Sequence, residues 1–511
     1  MNLIECLQRS VARLPSMEVI VDEEVRWTYR DLWTRVEHVA GHMWSLGIRN
    51  GDHVLVVLKN QKENILMYWA CQRIGAIYTP INFRMSKEEI RYCAEDSRSC
   101  LIVADAHWEA TVREATMAWP SPPLMMWTSA PATDPEAFDR WLTPPVASAP
   151  ELEISEDQAA IMLYTSGTTG RPKGVPRSHR NEISAAVAHI VQNRYGMGER
   201  SVGVMPFYHT MGMRSLVSAV LLNGALALLP NYDTEQLARL IPTERISALY
   251  LVPTLFYDMV NWSGLANLDL HSLKKIGYAG AAMTSTLTEH CFERLEPEVF
   301  VNHFGSSEVY TFTVCDWLDR KPTCAGKAGF HAEVRVVEIG EGSPNDRVAV
   351  GTPGEVIVRL TSPEAFGGYW NRPEATAKVL RDGWYRTGDV GYWDDDGDLW
   401  VYGRVDDMLN SGGENIHPLE VEDALSKHPG VAEVAVVGWP DDRWGETVTA
   451  FIVPKIAGLT QEELDRYCIE QATLARFKRP RQYIFVREIP KSPVGKILRR
   501  VLRDGQFDPL R

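Results

Sequence analysis

The chain has no block of lysine or arginine, and its 53 basic residues are outnumbered by 67 acidic ones, leaving a net charge of −14. Nucleic acid needs a basic face, so this balance argues against it as a partner. The eight cysteines (Cys6, Cys71, Cys93, Cys100, Cys291, Cys315, Cys324 and Cys468) are scattered, with no C-x-x-C pair. That argues against a zinc site or a disulfide framework and points to the reducing cytoplasm. No apolar run reaches the roughly 18–20 residues that span a bilayer. The first residues do not form a signal peptide: Leu3, Ile4, Leu7, Val11 and Leu14 keep helical spacing, but Glu5, Gln8, Arg9 and Arg13 interrupt them. There is no internal repeat and no low-complexity tract.

What is present is ordinary soluble-protein chemistry at 45% hydrophobic and 23% charged residues, spread over 511 positions. That length is too great for one core, so two or more domains are expected. Residues 1–150 alternate helix and strand patterns. Thr28 and Asp31 form a capping box with Asp in place of Glu, Leu32, Val36, Val39, Met43 and Leu46 make one apolar face, and Gly47 ends the helix. A buried strand at 54–58, a helix through about 73 and a strand at 76–78 give βαβ patterning, which implies a mostly parallel sheet covered by helices. Residues 118–151, rich in Pro, Ser, Ala and Thr, read as a surface connection. Strands are expected at 201–205, 225–229, 248–252, 275–279 and 299–302. Shorter strands at 334–337, 354–358 and 399–402, separated by turn chemistry such as Asp394-Asp395-Asp396-Gly397, suggest a small β-subdomain. A compact α+β unit follows, with helices near 418–427 and 461–471 and strands near 431–437, 447–453 and 483–486.

The chemistry centres on residues 164–174. The apolar run 159–164 reads as a buried strand. It leads into Thr165, Ser166, Gly167, Thr168, Thr169 and Gly170, and Lys173 follows. Composition alone allows a flexible surface loop. The preceding strand and the lysine favour a polyphosphate cradle, in which glycines let backbone N–H groups approach and hydroxyls add donors. The common nucleoside-triphosphate loop does not fit, because Pro172 precedes Lys173 and Gly174 follows it.

This loop resembles the phosphate loop of the acyl-adenylate-forming superfamily, which includes acyl- and aryl-CoA ligases, peptide-synthetase adenylation domains and luciferase. Further motifs follow in the family's order. His209, among Pro206, Phe207 and Tyr208, resembles an aromatic-flanked histidine that orients the acid; a lone histidine in such a setting is more often simply packed. Gly280, Ala281 and Ala282, after the strand at 275–279, resemble the flat slot for adenine. His303, Phe304, Gly305, Ser306, Ser307 and Glu308 resemble the Y-G-[ST]-[ST]-E motif with Phe304 in place of Tyr. The resemblance gives Ser307 to the α-phosphate or carboxylate and Glu308 to Mg²⁺. Residues 385–389 match Y-R-T-G-D, so Asp389 is expected on the ribose hydroxyls, with Arg404 beside the ribose or phosphate. Lys496, in a Pro-x-x-x-x-Gly-Lys context, matches the catalytic lysine. A C-terminal lysine alone is usually only solvated, but six motifs in register reverse that judgement.

The implied architecture is α/β: a large N-terminal domain over 1–405, with parallel sheets covered by helices and a β-subdomain at about 330–405. A small mobile α+β C-terminal domain over 406–511 turns about a hinge at Asp406. The nearest type by resemblance is the 4-chlorobenzoate-CoA ligase class of aryl-CoA ligase, on residues 438–446 and 477–481. It places Trp444 on the CoA adenine, Arg84, Arg479 and Arg481 near the CoA phosphates, Phe477 beside them, and Gly412, Gly413 and Glu414 along the pantetheine tunnel. The implied acyl pocket is Ala188, His209, Thr210, Met211, Tyr250, Ala279, His303, Gly305, Tyr310 and Thr311. Its polar members suggest an aromatic or cyclic acid with a hydroxyl or heteroatom, and no Phe-Asp pair is present to hold an amino acid.

The expected reaction joins acid and ATP·Mg²⁺ to acyl-AMP and pyrophosphate, then CoA to acyl-CoA and AMP. The expected partners are therefore a small carboxylic acid, ATP and CoA, and a homodimer stays open. A carrier-loading adenylating enzyme, a medium- or long-chain acyl-CoA synthetase and a non-catalytic nucleotide sensor are the alternatives. Intact Lys173, Glu308, Asp389 and Lys496 argue against the sensor.

Overall fold

The computed structural model describes residues 1–117, 119–165, 171–340, 342–411, 414–441, 444–470, 474–492 and 495–510, with Asn415 by its backbone alone. Two sheets organise the N-terminal part. One has six strands in the order Leu124–Thr128, Leu101–Asp105, His53–Val57, Ile77–Pro80, Ala159–Thr165 and Lys173–Ser178. Its pairings are parallel except the last, which is a hairpin. The other has nine strands, with Val299–Phe304, Lys275–Ala279, Ala248–Leu251, Arg200–Gly203, Ala225–Leu228 and Glu18–Asp22 adjacent and parallel. Antiparallel strands close both of its ends.

Helices fill the space between the sheets, as continuous apolar strands require. Every residue of helix Lys62–Ile74 after Lys62 is buried. One core unites this helix with Val54 and Tyr78 of the smaller sheet, Ile20 and Leu226 of the larger, and helices Tyr29–Ser45 and Thr210–Leu221. The capping box at Thr28 and Asp31 is present in full, and the helix it opens ends just before Gly47, which has φ +89°.

The expected β-subdomain is an antiparallel sheet of Val334–Val337, Gly354–Arg359, Trp384–Trp393, Leu380–Arg381 and Leu399–Arg404. A one-turn 3-10 segment, Val405–Asp407, then leads to Leu409–Ser411. The last unit pairs Glu414–Ile416, Leu409–Ser411, Gly445–Pro454 and Val431–Asp441, with Gln482–Phe485 added in parallel, and helices Pro418–Ser426 and Gln461–Glu470 pack on it.

Residues 118–151 are more than a surface connection. The apolar run within Leu124–Thr128 pairs in parallel with Leu101–Asp105, and Trp127, Phe138 and Trp141 are buried. A four-residue apolar run suffices for an edge strand, even among prolines. The eight cysteines are free. Among the described residues, no helix is long and apolar enough to cross a membrane.

Candidate active site

A cavity of about 1420 Å³ opens at the C-terminal ends of the parallel strands of the larger sheet, between that sheet, the β-subdomain and the C-terminal unit. Ligands bind at this end of open α/β sheets as a rule, because loops and helix N-termini converge there. Thr165, Lys173, Ser307, Glu308, His209, Asp389, Arg404 and Lys496, from widely separated stretches of sequence, all reach its wall.

The hairpin Ala159–Thr165/Lys173–Ser178 holds the two ends of the Ser/Thr/Gly stretch together, with Thr165 opposite Lys173. Ser166, Gly167, Thr168, Thr169 and Gly170 lie outside the described residues. The Lys173 ammonium stands 4.7 Å from the Tyr369 ring centroid, and the Tyr369 hydroxyl donates to Glu308 Oε1 at 2.6 Å. A cation and a buried carboxylate thus flank one tyrosine. Ser306 Oγ accepts from the Glu308 and Val309 amides at 3.2 and 3.4 Å, which fixes the turn that aims Glu308. Gly305 is required in that turn, because a Cβ there would stand 2.0 Å from the Tyr310 carbonyl oxygen.

Ala279, Gly280, Ala281 and Ala282 give the cavity a small-residue wall, with Gly280 at φ +86°, and Phe304 lines it too. Opposite, Asp389 and Arg404 face each other across paired strands at 3.3 Å, and Arg404 also donates to the Thr387 carbonyl at 2.6 Å. Gly388, at φ +71°, makes room: a Cβ would lie 2.8 Å from the Arg404 guanidinium. Burial raises the Asp389 carboxyl, while Arg404 and Lys496 oppose that shift.

His209 caps helix Thr210–Leu221, and its Nδ1 accepts from the Met211 amide at 3.4 Å. Burial, aided by the charge of Arg214, lowers its pKa to about 4, so it is neutral at physiological pH. Thr210, Met211, Tyr250, His303 and Tyr310 line the cavity beside it. Ala188 and Thr311 do not, although both belong to the expected acyl pocket. Both are fully buried, Ala188 in a second layer where its neighbour His189 packs on the Tyr250 ring at 4.5 Å. Asn193, the C-cap of helix His179–Gln192, bridges His189 Nδ1 at 2.9 Å and His303 Nε2 at 3.0 Å.

The sequence reading missed Arg214, which lines the cavity and is 3% exposed. Its signal was its isolation as the one charged residue of helix Thr210–Leu221. Tyr369 and Thr254 were missed too, since neither sits in a recognisable motif.

Lys496 is delivered by the C-terminal unit. Its turn is held by Ser492, whose backbone N–H donates to the Lys496 carbonyl at 2.8 Å and whose Oγ accepts from the Lys496 amide at 3.1 Å. Gly495 presses that turn against Thr254, on the helix Pro253–Asn261 of the large sheet. Asp423 adds a second contact, accepting from Ser285 Oγ at 3.2 Å. The Lys496 side chain stays open to the cavity. Crowding lowers its pKa, Arg404 adds to the fall, and Asp389 and Asp407 oppose it.

The residues expected to meet CoA are divided. Arg84 lines the cavity, with its guanidinium 4.4 Å from the Phe83 ring. Glu414, Trp444, Phe477, Arg479 and Arg481 are away from it; Trp444 and Phe477 are exposed, and Arg479 pairs with Asp465 at 3.3 Å. Gly412 and Gly413 lie outside the described residues. Asp406 sits in the 3-10 turn between the units. Among the described residues, the one cluster of three carboxylates, Asp394, Asp396 and Asp398, is occupied by the Lys321 ammonium at 2.7, 2.8 and 2.5 Å.

Known proteins resemble the chain along nearly its whole length. The chain is 32% identical over 507 residues to a 4-chlorobenzoate–CoA ligase of Arthrobacter sp, covering 98% of this chain and 94% of that one. It is 31% identical over 513 residues to the long-chain-fatty-acid–CoA ligase FadD13 of Mycobacterium tuberculosis, covering 98% of both. The fold superposes on o-succinylbenzoate CoA synthetase of Bacillus subtilis in complex with its acyl-adenylate intermediate. The TM-score is 0.85 at 26% identity, over 100% of this chain and 99% of that one. The family model described as AMP-binding enzyme matches residues 7–370, and that of the AMP-binding enzyme C-terminal domain matches 420–496. With more than half its length matched, the chain belongs to the AMP-binding enzyme family, the acyl-adenylate-forming superfamily that its motifs resemble.

Proposed function

We propose that the protein is an ATP-dependent carboxylic acid–CoA ligase acting on a compact aromatic or cyclic acid. Acid and ATP give acyl-AMP and pyrophosphate; CoA thiol then attacks the acyl carbonyl, giving acyl-CoA and AMP. The observation that carries this reading is the convergence of Lys496, Asp389–Arg404, Lys173, Glu308 and His209 on one cavity. The acid's carboxylate is already the nucleophile, so the protein's work in the first half is positioning and charge neutralisation.

Asp389 accepts the ribose hydroxyls and Arg404 holds it in place. Gly280, Ala281, Ala282 and Phe304 flank adenine. Lys173 and the hairpin loop take the β- and γ-phosphates, and Ser307 donates to the α-phosphate. The Lys496 ammonium bridges the carboxylate and the α-phosphate, screening two anions that would otherwise repel. Neutral His209 orients the acid without adding charge. Glu308 fits magnesium: it is a hard oxygen ligand at the cavity wall, held by Tyr369, and one carboxylate plus nucleotide phosphates satisfies this ion. When bound, the ion neutralises charge on the polyphosphate.

For the second half, residues 406–511 turn about Asp406 relative to 1–405. That motion withdraws Lys496 and brings Gly412, Gly413, Glu414, Trp444, Phe477, Arg479 and Arg481 toward Arg84 to receive CoA. The present arrangement, with Lys496 inside and Glu414, Trp444, Phe477, Arg479 and Arg481 outside, suits the first half. Tyr250, His303 and Tyr310 crowd the acyl end, which favours a ring over a long chain; similarity to a long-chain ligase is the competing consideration. Acid-dependent ATP–pyrophosphate exchange with benzoate-type and straight-chain acids tests the reading. A clear preference for long chains refutes the substrate class, and exchange without CoA transfer moves the protein to a carrier-loading role.

A further inference from the structure

Arg214 places a charge at the acyl end of the cavity, and among the described residues no carboxylate forms an ion pair with it. Arg214 is 3% exposed. Its Nη1 donates to the Tyr250 hydroxyl at a long 3.4 Å, and its guanidinium lies 5.2 Å from the Tyr310 ring centroid. Its Nε has no hydrogen-bond partner, and among the described residues it pairs with no carboxylate. The acids nearby form no hydrogen bond with it, although Glu364 Oε2 is itself buried without a partner. Glu182 receives Arg177 Nε at 2.6 Å and the Tyr310 hydroxyl at 3.1 Å, and Glu364 receives His331 at 3.2 Å.

A buried guanidinium without an anion is costly, and such charges are paired in native proteins. The three histidines around it offer no compensation. Burial and the Arg214 charge itself lower the pKa values of His189, His209 and His303, so all three are neutral. His303 Nδ1 is likewise buried without a partner on the same wall. Those two nitrogens, Arg214 Nε and His303 Nδ1, are themselves sealed from the cavity; what defines the ligand is the guanidinium charge in the cavity wall, because a ligand lacking a matching acceptor leaves it unpaired.

We infer that the acid activated here carries, besides its reacting carboxylate, a second oxygen acceptor, which Arg214 binds with Tyr250 and His303 around it. A carboxylate or a hydroxyl supplies that oxygen. This rests on the acid–CoA ligase reading and narrows it: hydrocarbon and halogenated rings of the same shape are poor substrates. Arg214 acts as a specificity residue and leaves the adenylate-forming step to Lys496.

The test uses the full-length protein and benzoic acids bearing a meta or para carboxylate, hydroxyl or methyl group. Calorimetry in the presence of AMP reads binding, and ATP–pyrophosphate exchange reads turnover. The expected result is that an oxygen-bearing acid binds at least about tenfold tighter than its methyl counterpart, with the carboxylate and hydroxyl arms telling which oxygen is preferred. Arg214→Met should erase or invert that ratio while exchange with the methyl acid survives. Methyl acids bound and activated as well as oxygen acids overturn the inference and leave the ligase reading standing. Equal loss of all acids in Arg214→Met overturns it too, since Arg214 would then serve the common carboxylate or the fold. Absence of binding by every acid refutes it, and exchange absent despite selective binding refutes the ligase reading alone.

Discussion

Replacing Gly495 by alanine should separate the two half-reactions. The added Cβ would lie 2.5 Å from Thr254 Oγ1 and 3.3 Å from Val252 Cγ2, well inside the roughly 3.5–4.0 Å of comfortable contact. Gly495 also has φ +74°, which costs alanine about 1 kcal/mol. That second term accompanies the turn wherever the C-terminal unit goes, because its hydrogen bond from Gly495 to Ser492 is internal. Only the clash is specific to the docked arrangement. Overpacking of this kind costs about 1–3 kcal/mol, which shifts the docked population by about 5–150-fold. ATP–pyrophosphate exchange should fall by that factor, while thioester formation from supplied acyl-adenylate and CoA is unchanged. Thr254→Ala removes the clashing atoms and should restore exchange in the double variant. Equal loss in both half-reactions, or no loss in exchange, would refute the docking argument.

Other expectations follow from the same geometry. Lys496 must be charged to bridge two anions, and its pKa is lowered. Adenylation should therefore decline, as pH rises, below the ordinary lysine value of about 10.4, and Lys496→Arg should flatten that limb in a pH–rate profile. Tyr369→Phe removes the hydroxyl that holds Glu308 and should raise the magnesium concentration needed for half-maximal exchange, with little change in thermal stability. Gly388→Ala would crowd Arg404 and combine that with positive φ, so the apparent KM for ATP should rise by about tenfold or more. Gly305→Ala meets backbone at 2.0 Å and should lower the melting temperature as well as activity, read by calorimetry.

The motifs whose residues line the cavity were legible because each is local: a glycine turn, a hydroxyl and a charge within a few residues. Periodicity likewise exposed the parallel strands and the capped helix at Thr28, where alternation or continuous apolar runs leave little choice. The edge strand Leu124–Thr128 was hidden by surrounding prolines, since partner strands rather than local composition decide an edge. Ala188 was misplaced because a pocket wall depends on which helix face turns inward, and Ala188 is buried away from the cavity lining. Arg214 was written in the sequence as a lone charge in an apolar helix. That it forms no ion pair among the described residues appears only in the fold, where Glu182 is engaged by Arg177 and Tyr310. Pairing between residues far apart in the chain is a property of the fold, and so is the placement of Gly495 against Thr254.

The most direct test of the central claim is to follow both half-reactions in Lys496→Ala and in the unmodified protein, using an accepted acid. The account predicts acid-dependent ATP–pyrophosphate exchange in the unmodified protein and its near-complete loss in Lys496→Ala. Thioester formation from supplied acyl-adenylate should persist in both. Equal impairment of both steps in Lys496→Ala would contradict the assignment of Lys496 to adenylation. Absence of exchange for every acid in the unmodified protein would contradict the ligase itself.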